Sequence, residues 1–315
     1  MAPRRNADDR PTLTGVLNVL KPPGLTSHDV VDEARRLAGM RRIGHTGTLD
    51  PGACGVLVLC LGHATRIAEF LTDQRKAYRT EFTFGIATDS GDAYGAVVAE
   101  ADASVLTRET LEAALASFVG SLEQVPPMVS AVHVAGRRLY EHARRGEEVD
   151  VEPRRVEITE CRLLDFSSGP RATALVHVEC SKGTYVRALA RDLGARLGLG
   201  AHASFVLRTR AGRFDVAQSL TLEEIAATAA DGGLPLILAS MDEALADLPV
   251  VELSPSQRHH VLDGRPLPLF QVPGWNRLPA STPIRLRDAR GLVALGRVEE
   301  GRLRPFRILR GPSTP

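Results

Sequence analysis

The sequence predicts an α+β fold followed by a small β-rich module at the C-terminal end. Three observations carry this expectation. Segments with strand-like alternation and segments with helical spacing interleave from Gly15 to about Ala246. Around Asp242 to Leu248 the pattern changes to short strands. At 315 residues the chain is also long enough for two domains. The expected division is a short disordered start over 1–11, a main domain over 12–246 and a module over 247–315.

The elements follow in order. "GVLNVL", Gly15 to Leu20, reads as a strand stopped by Pro22, Pro23 and Gly24. Thr26 and Asp29 form a capping box for a helix through about Ala38, with Val30, Val31, Ala34 and Leu37 inward. A glycine-rich loop precedes a buried strand over Val56 to Leu61. "AYRTEFTFG" alternates, with Tyr78, Thr80, Phe82 and Phe84 on one face. Thr107 to Gly120 reads as an amphipathic helix. Strands are expected over Val156 to Phe166 and Ala172 to Cys180. A helix near Thr184 carries Val186, Leu189, Ala190, Leu193 and Leu197, and Thr221 with Glu224 starts another. Ser254-Pro255-Ser256-Gln257 is a capping box with proline at the first helical position. "IRLRD", "LVALGRV" and "LRPFRIL" close the chain as strands.

Formal charge is +1, so bulk charge does not announce a nucleic-acid binder. The distribution is less even. Lys182 to Arg213 holds seven lysines and arginines against Asp192, and Arg285 to Arg310 holds eight arginines against Asp288, Glu299 and Glu300. Such clusters suggest a polyanion-binding face, with solvated helix faces as the plainer explanation. Cys54, Cys60, Cys161 and Cys180 have no metal-ligand spacing and fit a reducing cytoplasm. "MAPRRNADDRP" lacks the apolar core of a secretory signal, and no apolar run reaches bilayer length. The expectation is a soluble cytoplasmic protein.

The most informative stretch is "GHTGTLDPGACG", Gly44 to Gly55. Its glycines allow close backbone approach to a ligand, and Pro51 drives Asp50 towards an extended conformation. A lone carboxylate held in this way serves as a nucleophile, a base or a turn cap. The loop matches neither phosphate-binding glycine fingerprint.

Five segments appear in order: "LNVLKPPGLTSHDVV", "RRIGHTGTLDPGACGVLVLCLGHATR", "KAYRTEFTFGIATDSGDAYG", "QVPPMVSAVHVAGRRLYEHARRG" and "CSKGTYVRALARDLG". Together they resemble the bacterial TruB family, which makes pseudouridine from the T-loop uridine at tRNA position 55. The resemblance runs from about Gly15 to Arg213. It implies a mixed, largely antiparallel central sheet and a C-terminal PUA-like module.

The resemblance also implies roles. Asp50 matches the catalytic aspartate. Tyr78 matches the active-site tyrosine, able to stack on the extruded uracil or relay a proton, where a bare strand aromatic would be core. Arg187 matches the arginine that pairs with the catalytic carboxylate, where an isolated helix-start arginine would be a surface contact. His45 matches a histidine that contacts the rearranged RNA loop. Asp92 matches an acid that helps to hold RNA, with a turn cap as its alternative. Lys21 is expected to support the site or the RNA backbone, and Tyr185 to pack near the base. Val206 is the expected apolar contact to the base. "GRRLYEHARRG", Gly136 to Gly146, looks like part of the T-arm-binding insertion over about 124–153, with Arg137, Arg138, Arg144 and Arg145 on phosphates.

Three positions depart from the family pattern. Cys54 stands where threonine is usual, His133 where lysine is usual, and "FVLRTR" has one arginine where two adjacent ones are common. The implied protein is a cofactor-free, metal-free enzyme acting on the T-arm and acceptor end of tRNA, monomeric and without an obligate protein partner or membrane. Two rivals are a tRNA-folding chaperone without catalysis and a guide-dependent synthase of the H/ACA type.

Overall fold

A computed structural model of the chain describes residues 13–309, apart from 131, 132, 135, 140, 141, 143, 144, 146 and 148. The expected disordered start, 1–11, lies outside the described residues, as does Arg144.

A nine-stranded sheet organises the main domain. Its order is Gly15–Lys21, Cys54–Leu61, Ala201–Ala211, Lys76–Phe84, Thr173–Cys180, Arg154–Ser167 and Gly120–Gln124. Ile43–His45 pairs beside Cys54–Leu61, and Phe214–Asp215 beside Ala201–Ala211. The one parallel pairing in this sheet joins Ala201–Ala211 to Cys54–Leu61, through Leu207 opposite Cys54 and Arg208 opposite Gly55. The other pairings are antiparallel, which bears out the mixed, largely antiparallel sheet.

Both faces of this sheet are buried, which explains the unbroken apolar run "VLVLCL". Leu57, Leu59 and Leu61 join one core with the helices Ser27–Ala38, Arg108–Ala116 and Val186–Leu197. Val56, Val58 and Cys60 point the other way, into a second core with Ile67, Met241 and Leu245.

Helix ends follow local chemistry. Thr26 and Asp29 make the expected reciprocal cap, and Gly39 ends the helix at φ 62°. The helix Arg108–Ala116 begins at its Thr107 cap but stops short of the expected Gly120, because Gly120 opens the strand that pairs with Arg154–Ile158. The helix Val186–Leu197 lies tight on the strand that follows it. A Cβ added at Gly194 would stand 2.3 Å from the Ala201 nitrogen.

A second sheet of five strands begins at Val250. Its order is Val250–Glu252, Ile284–Asp288, Gly291–Glu299, Arg302–Ile308 and Leu267–Pro268. Val251, Val261, Ile284, Leu286 and Leu303 form its own core. Two of its neighbours reach across: Leu295 and Leu309 pack in the second core of the main sheet, beside Val16 and Val56. Arg285 ties the join, donating to Asp242 Oδ1 at 2.8 Å and to the Leu248 and Ala246 carbonyls. The Ser254–Gln257 box and its first-position proline form as expected, on the helix Pro255–Leu262.

Between the strands Gly120–Gln124 and Arg154–Ser167 lies the segment expected to be the T-arm-binding insertion. Its described part contains a hairpin of His133–Val134 against Arg137–Arg138, and Leu139 and Val151 pack with Met128, Val149 and Tyr185.

Candidate active site

The loop from Thr46 to Ala53 leaves the short strand Ile43–His45 and returns as Cys54–Leu61. Side chains from elsewhere take up its backbone. Lys21 Nζ donates to the carbonyls of Ala53 (2.7 Å), Pro22 (2.8 Å) and Pro51 (3.3 Å). Ser27 Oγ donates to the Leu49 carbonyl at 3.0 Å and accepts from its N–H at 2.8 Å. Arg208 donates to the carbonyls of Val56 (2.7 Å), Gly47 (3.0 Å) and Thr48 (3.4 Å). Gly55 is required where this loop joins the strand. At φ 106° a Cβ there would stand 2.2 Å from the Arg208 carbonyl oxygen.

The loop so held presents one carboxylate. Arg187 grips Asp50 in a two-point bond, Nε to Oδ2 at 2.8 Å and Nη2 to Oδ1 at 2.9 Å. The guanidinium also donates to the Ser90 carbonyl at 2.9 Å and the Val129 carbonyl at 2.7 Å, and stands 3.5 Å from Asp92 Oδ2. Its side chain is 3% exposed, whereas that of Asp50 is 42% exposed. The carboxylate is thus fixed from behind and open in front. Enclosure by the cleft pushes the Asp50 carboxyl above its ordinary value, while the Arg187 guanidinium pulls it back.

Tyr78 is buried on the strand Lys76–Phe84. Burial raises its hydroxyl pKa, opposed by the charge and hydrogen bond of Arg208. A cavity of about 240 Å³ lies between these groups, lined among others by Thr46, Asp50, Tyr78, Tyr185, Arg187 and Val206. A second space of about 580 Å³ shares Asp50, Arg187 and Val206 and opens past Tyr94, Val129 and Phe205. The site therefore brings together Asp50, Tyr78, Arg187, Tyr185 and Val206.

The other expected residues divide. Lys21 is 0% exposed and pins the Asp50 loop from below, which favours support of the site over contact with the RNA backbone. Burial lowers its pKa to about 8. Asp92 caps its turn, accepting from Ser90 Oγ (2.6 Å) and the Tyr94 N–H (3.0 Å), and backs Arg187. These contacts favour the turn-cap alternative. His45 stands just before the cavity wall, half-buried, and burial lowers its pKa, which favours the neutral ring. Arg137 and Arg145 are exposed on the insertion, the latter 4.0 Å from Glu147. Arg144 lies outside the described residues, as does the side chain of Arg138.

Sequence reasoning missed two groups. Arg208 and Lys76 are buried cavity-lining cations. Lys76 Nζ donates to the carbonyls of Gln74 and Thr72, and burial lowers its pKa to about 8. "KAYR" and "FVLRTR" already contained both, but a basic residue on a strand reads as solvent-facing.

Two of the three departures have local explanations, and the side chain of His133 lies outside the described residues. Cys54 Sγ lies 3.6 Å from the Val206 carbonyl, a small group filling the seam between loop and strand. In "FVLRTR" Arg208 holds the loop, while Arg210 pairs with Glu179.

Comparison with known proteins places this geometry. The model for the TruB family pseudouridylate synthase N-terminal domain matches residues 35–186. The model for the tRNA pseudouridylate synthase B C-terminal domain matches 187–246. Among similar relatives is tRNA pseudouridine synthase B of Symbiobacterium thermophilum, 57% identical over 250 residues, or 79% of this chain and 82% of that protein. Those of Pelotomaculum thermopropionicum and Pseudomonas aeruginosa are 47% and 42% identical, over 93% and 96% of this chain and 93% and 97% of theirs. Among solved structures, an H/ACA RNP bound to a substrate RNA containing 2′-deoxyuridine aligns at TM-score 0.73 and 23% identity, covering 98% of this chain and 90% of that one. A Cbf5-Nop10-Gar1 complex aligns at TM-score 0.73 and 25% identity, over 96% and 88%.

Proposed function

The chain belongs to the TruB family of pseudouridylate synthases, and from that premise we propose that Asp50, Arg187 and Tyr78 carry its reaction on the T-loop uridine of tRNA. The enzyme is a tRNA pseudouridine synthase, an isomerase. The observation that carries the residue assignment is the two-point Arg187–Asp50 bond at the wall of the cavity that Tyr78 also lines.

The reaction breaks the C1′–N1 bond, turns the base and joins C1′ to C5. C5 gives up its proton and N1 gains one, so the composition is unchanged. The uridine first leaves its stack, because a base inside an RNA fold cannot reach a carboxylate at the bottom of a cleft. Asp50 then stands where positive charge develops on the sugar, as carboxylates do at the anomeric carbon in glycosidases. Arg187 keeps it ionised and oriented. Tyr78 and Val206 supply surface against which the detached base turns. Tyr78 is buried with its pKa raised, so its hydroxyl is present as the neutral phenol, a donor of one hydrogen bond. Lys21, Ser27 and Arg208 hold the loop and touch no RNA in this reading. No metal or organic cofactor enters any step.

The T-arm is proposed to meet the insertion through Arg137, Arg138, Arg144 and Arg145, with His45 at the rearranged loop. The C-terminal sheet is proposed as a PUA-like module that adds phosphate contacts near the acceptor end. Guide-free action is favoured over a guide-dependent one, since relatives at 42–57% identity carry the tRNA synthase name while the H/ACA likeness stands at 23%. Among the described residues, no helix is long and apolar enough to cross a membrane.

The deciding experiment is purified protein with an unmodified tRNA transcript and no guide RNA, scored for pseudouridine. Wild type should convert it. Asp50→Asn should lower the rate by on the order of 10⁴-fold or more while leaving tRNA binding within a few-fold, because the carboxylate is lost and the shape kept. Wild-type turnover in Asp50→Asn would overturn the assignment.

A further inference from the structure

We infer that Ser130 is a substrate-contacting residue, whose hydroxyl is reserved for the edge of the flipped uracil. The inference rests on the reading above and adds a residue to it.

The observation is an imbalance in the cavity wall. Among the polar side chains that line the cavity of Asp50 and Tyr78, almost all have partners inside the protein. Arg187 is committed to Asp50 and to two carbonyls, and Arg208 to three carbonyls. Lys76 holds the Thr72 and Gln74 carbonyls. Lys182 holds Asp73 at 2.7 Å. Thr72 Oγ1 donates to the Ala68 carbonyl, Thr184 Oγ1 to that of Ser181, and Ser181 Oγ serves the Glu157 N–H. Ser130 lines the same cavity and is 6% exposed, yet its Oγ has no hydrogen-bond partner among the described residues. A buried hydroxyl without a partner is a cost that folded proteins seldom leave in place.

Position gives this orphan a purpose. Ser130 follows Val129, whose carbonyl is held by Arg187 Nη2 at 2.7 Å. The hydroxyl is therefore tied, through one residue and one guanidinium, to the group that orients Asp50. A base whose ribose faces Asp50 and whose ring lies along Tyr78 has its polar edge to place within the same cavity. That edge offers two carbonyl acceptors and one N–H donor. A serine hydroxyl both donates and accepts, so it can serve the base before and after the ring turns, when the edge it presents has changed. An Arg or Lys could only donate. The bond is shielded from water, and it raises the rate to the extent that it is stronger while the ring turns than in the first-bound complex.

The same facts make a clean separation possible. A serine that served the fold would lose stability on truncation. A serine held for substrate would lose none, since truncation removes an unsatisfied group from the free protein. Ser130→Ala is expected to unfold at the wild-type temperature or slightly above. Its single-turnover rate of pseudouridine formation at saturating tRNA should fall about ten-fold, the loss of one hydrogen bond, with the tRNA Kd within two-fold of wild type. Ser130→Thr, which keeps the hydroxyl, should recover most of the rate. A wild-type rate in Ser130→Ala overturns the inference, and so does a lowered unfolding temperature that Ser130→Thr fully restores together with rate. Wild-type enzyme is run beside each variant. If wild type itself fails to convert the transcript, the proposed function fails rather than the role of Ser130.

Discussion

Two sets of arginines in this chain look alike as letters and behave differently in the fold. In the cleft, Arg187 and Arg208 are each 3% exposed, and every described contact of their guanidinium groups is with the protein itself. In the C-terminal module the set is divided. Arg285 and Arg287 hold Asp242, Arg304 faces Glu299 and Glu300, and Arg307 holds Glu69 and the Arg66 carbonyl of the main domain. Arg297 lies over the Phe306 ring at 5.0 Å. Arg290 and Arg302 are exposed and make no ion pair among the described residues. The difference teaches that a count of arginines measures neither an RNA face nor a catalytic one. Burial and partners decide: the cleft pair shapes a loop, and much of the module's charge joins two sheets.

The strongest test of the cleft side is Arg187. Breaking a buried ion pair from one side costs about 3–5 kcal/mol when both charges are enclosed. The Asp50 side chain is 42% exposed, so solvent should screen the loss to about 1–3 kcal/mol. Arg187→Gln should lose that much in urea denaturation and lower turnover by at least about 10²-fold. Its residual activity should also change with pH in a defined direction. In the proposed role only ionised Asp50 is active, and burial already holds its pKa in the intact site above the ordinary 3.8. Rate therefore falls as pH drops through that raised value. Removing Arg187 removes the group that pulls it down, so the acid limb of the pH–rate profile should move to higher pH. An unmoved limb would mean that Arg187 does not tune Asp50.

Much of this site was legible because its signals are local. Thr26 with Asp29 and Ser254 with Gln257 announce helix starts within four residues, and both form. Asp50, Tyr78 and Arg187 were found through motifs, though their meeting spans 137 residues of chain between Asp50 and Arg187. The strand Ala201–Ala211 was not legible. Two register shifts, at Ala203/Phe205 and Arg208/Arg210, break its period-two pattern, and its parallel partner lies about 150 residues upstream. Arg208 went unseen for the same reason. Its acceptors are loop carbonyls whose position depends on that long-range pairing. Lys21 was visible as a residue but not as a buried one, since three carbonyls converge on it only after the loop has folded.

Lys21 gives the next test, smaller and confined to stability. Burial lowers its pKa from 10.5 to about 8. Between those values the unfolded chain holds the proton more than the native one does, so the stability contributed through Lys21 rises with pH from about 8 to 10.5. The full change is on the order of 3 kcal/mol by linkage. Lys76, also lowered to about 8, adds a similar rise of its own that is common to wild type and variant. In Lys21→Met the unfolding free energy, subtracted from that of wild type at each pH, should expose the Lys21 part alone. A flat difference across this window would show that Lys21 stays fully charged beneath the loop.

The smallest effect belongs to the exposed arginines of the module, and it decides whether that region touches RNA at all. Removing the module whole is a poor test. Leu295 and Leu309 sit in the main domain's second core, so truncation would expose apolar surface there whatever the module binds. Arg290 and Arg302 avoid this, being free of internal ion pairs among the described residues. They stand at opposite ends of the strand Gly291–Glu299, Arg290 in the turn before it and Arg302 after it. That separation is about 26 Å at ~3.3 Å per residue, too far for both to serve one phosphate. Each should be replaced by alanine alone and tRNA binding measured across a salt series. A lost phosphate contact lowers the log–log salt slope by about 0.9 on duplex RNA and about 0.7 on a single strand. Affinity at low salt should fall only a few-fold, and turnover at saturating tRNA should not change, because a phosphate contact orients the RNA and carries no chemistry. A slope change at one end and not the other would locate the RNA on the module. Unchanged slopes in both variants would reduce these arginines to solvated surface and leave the module as a structural partner of the main sheet, joined through Arg285, Arg307 and the shared core.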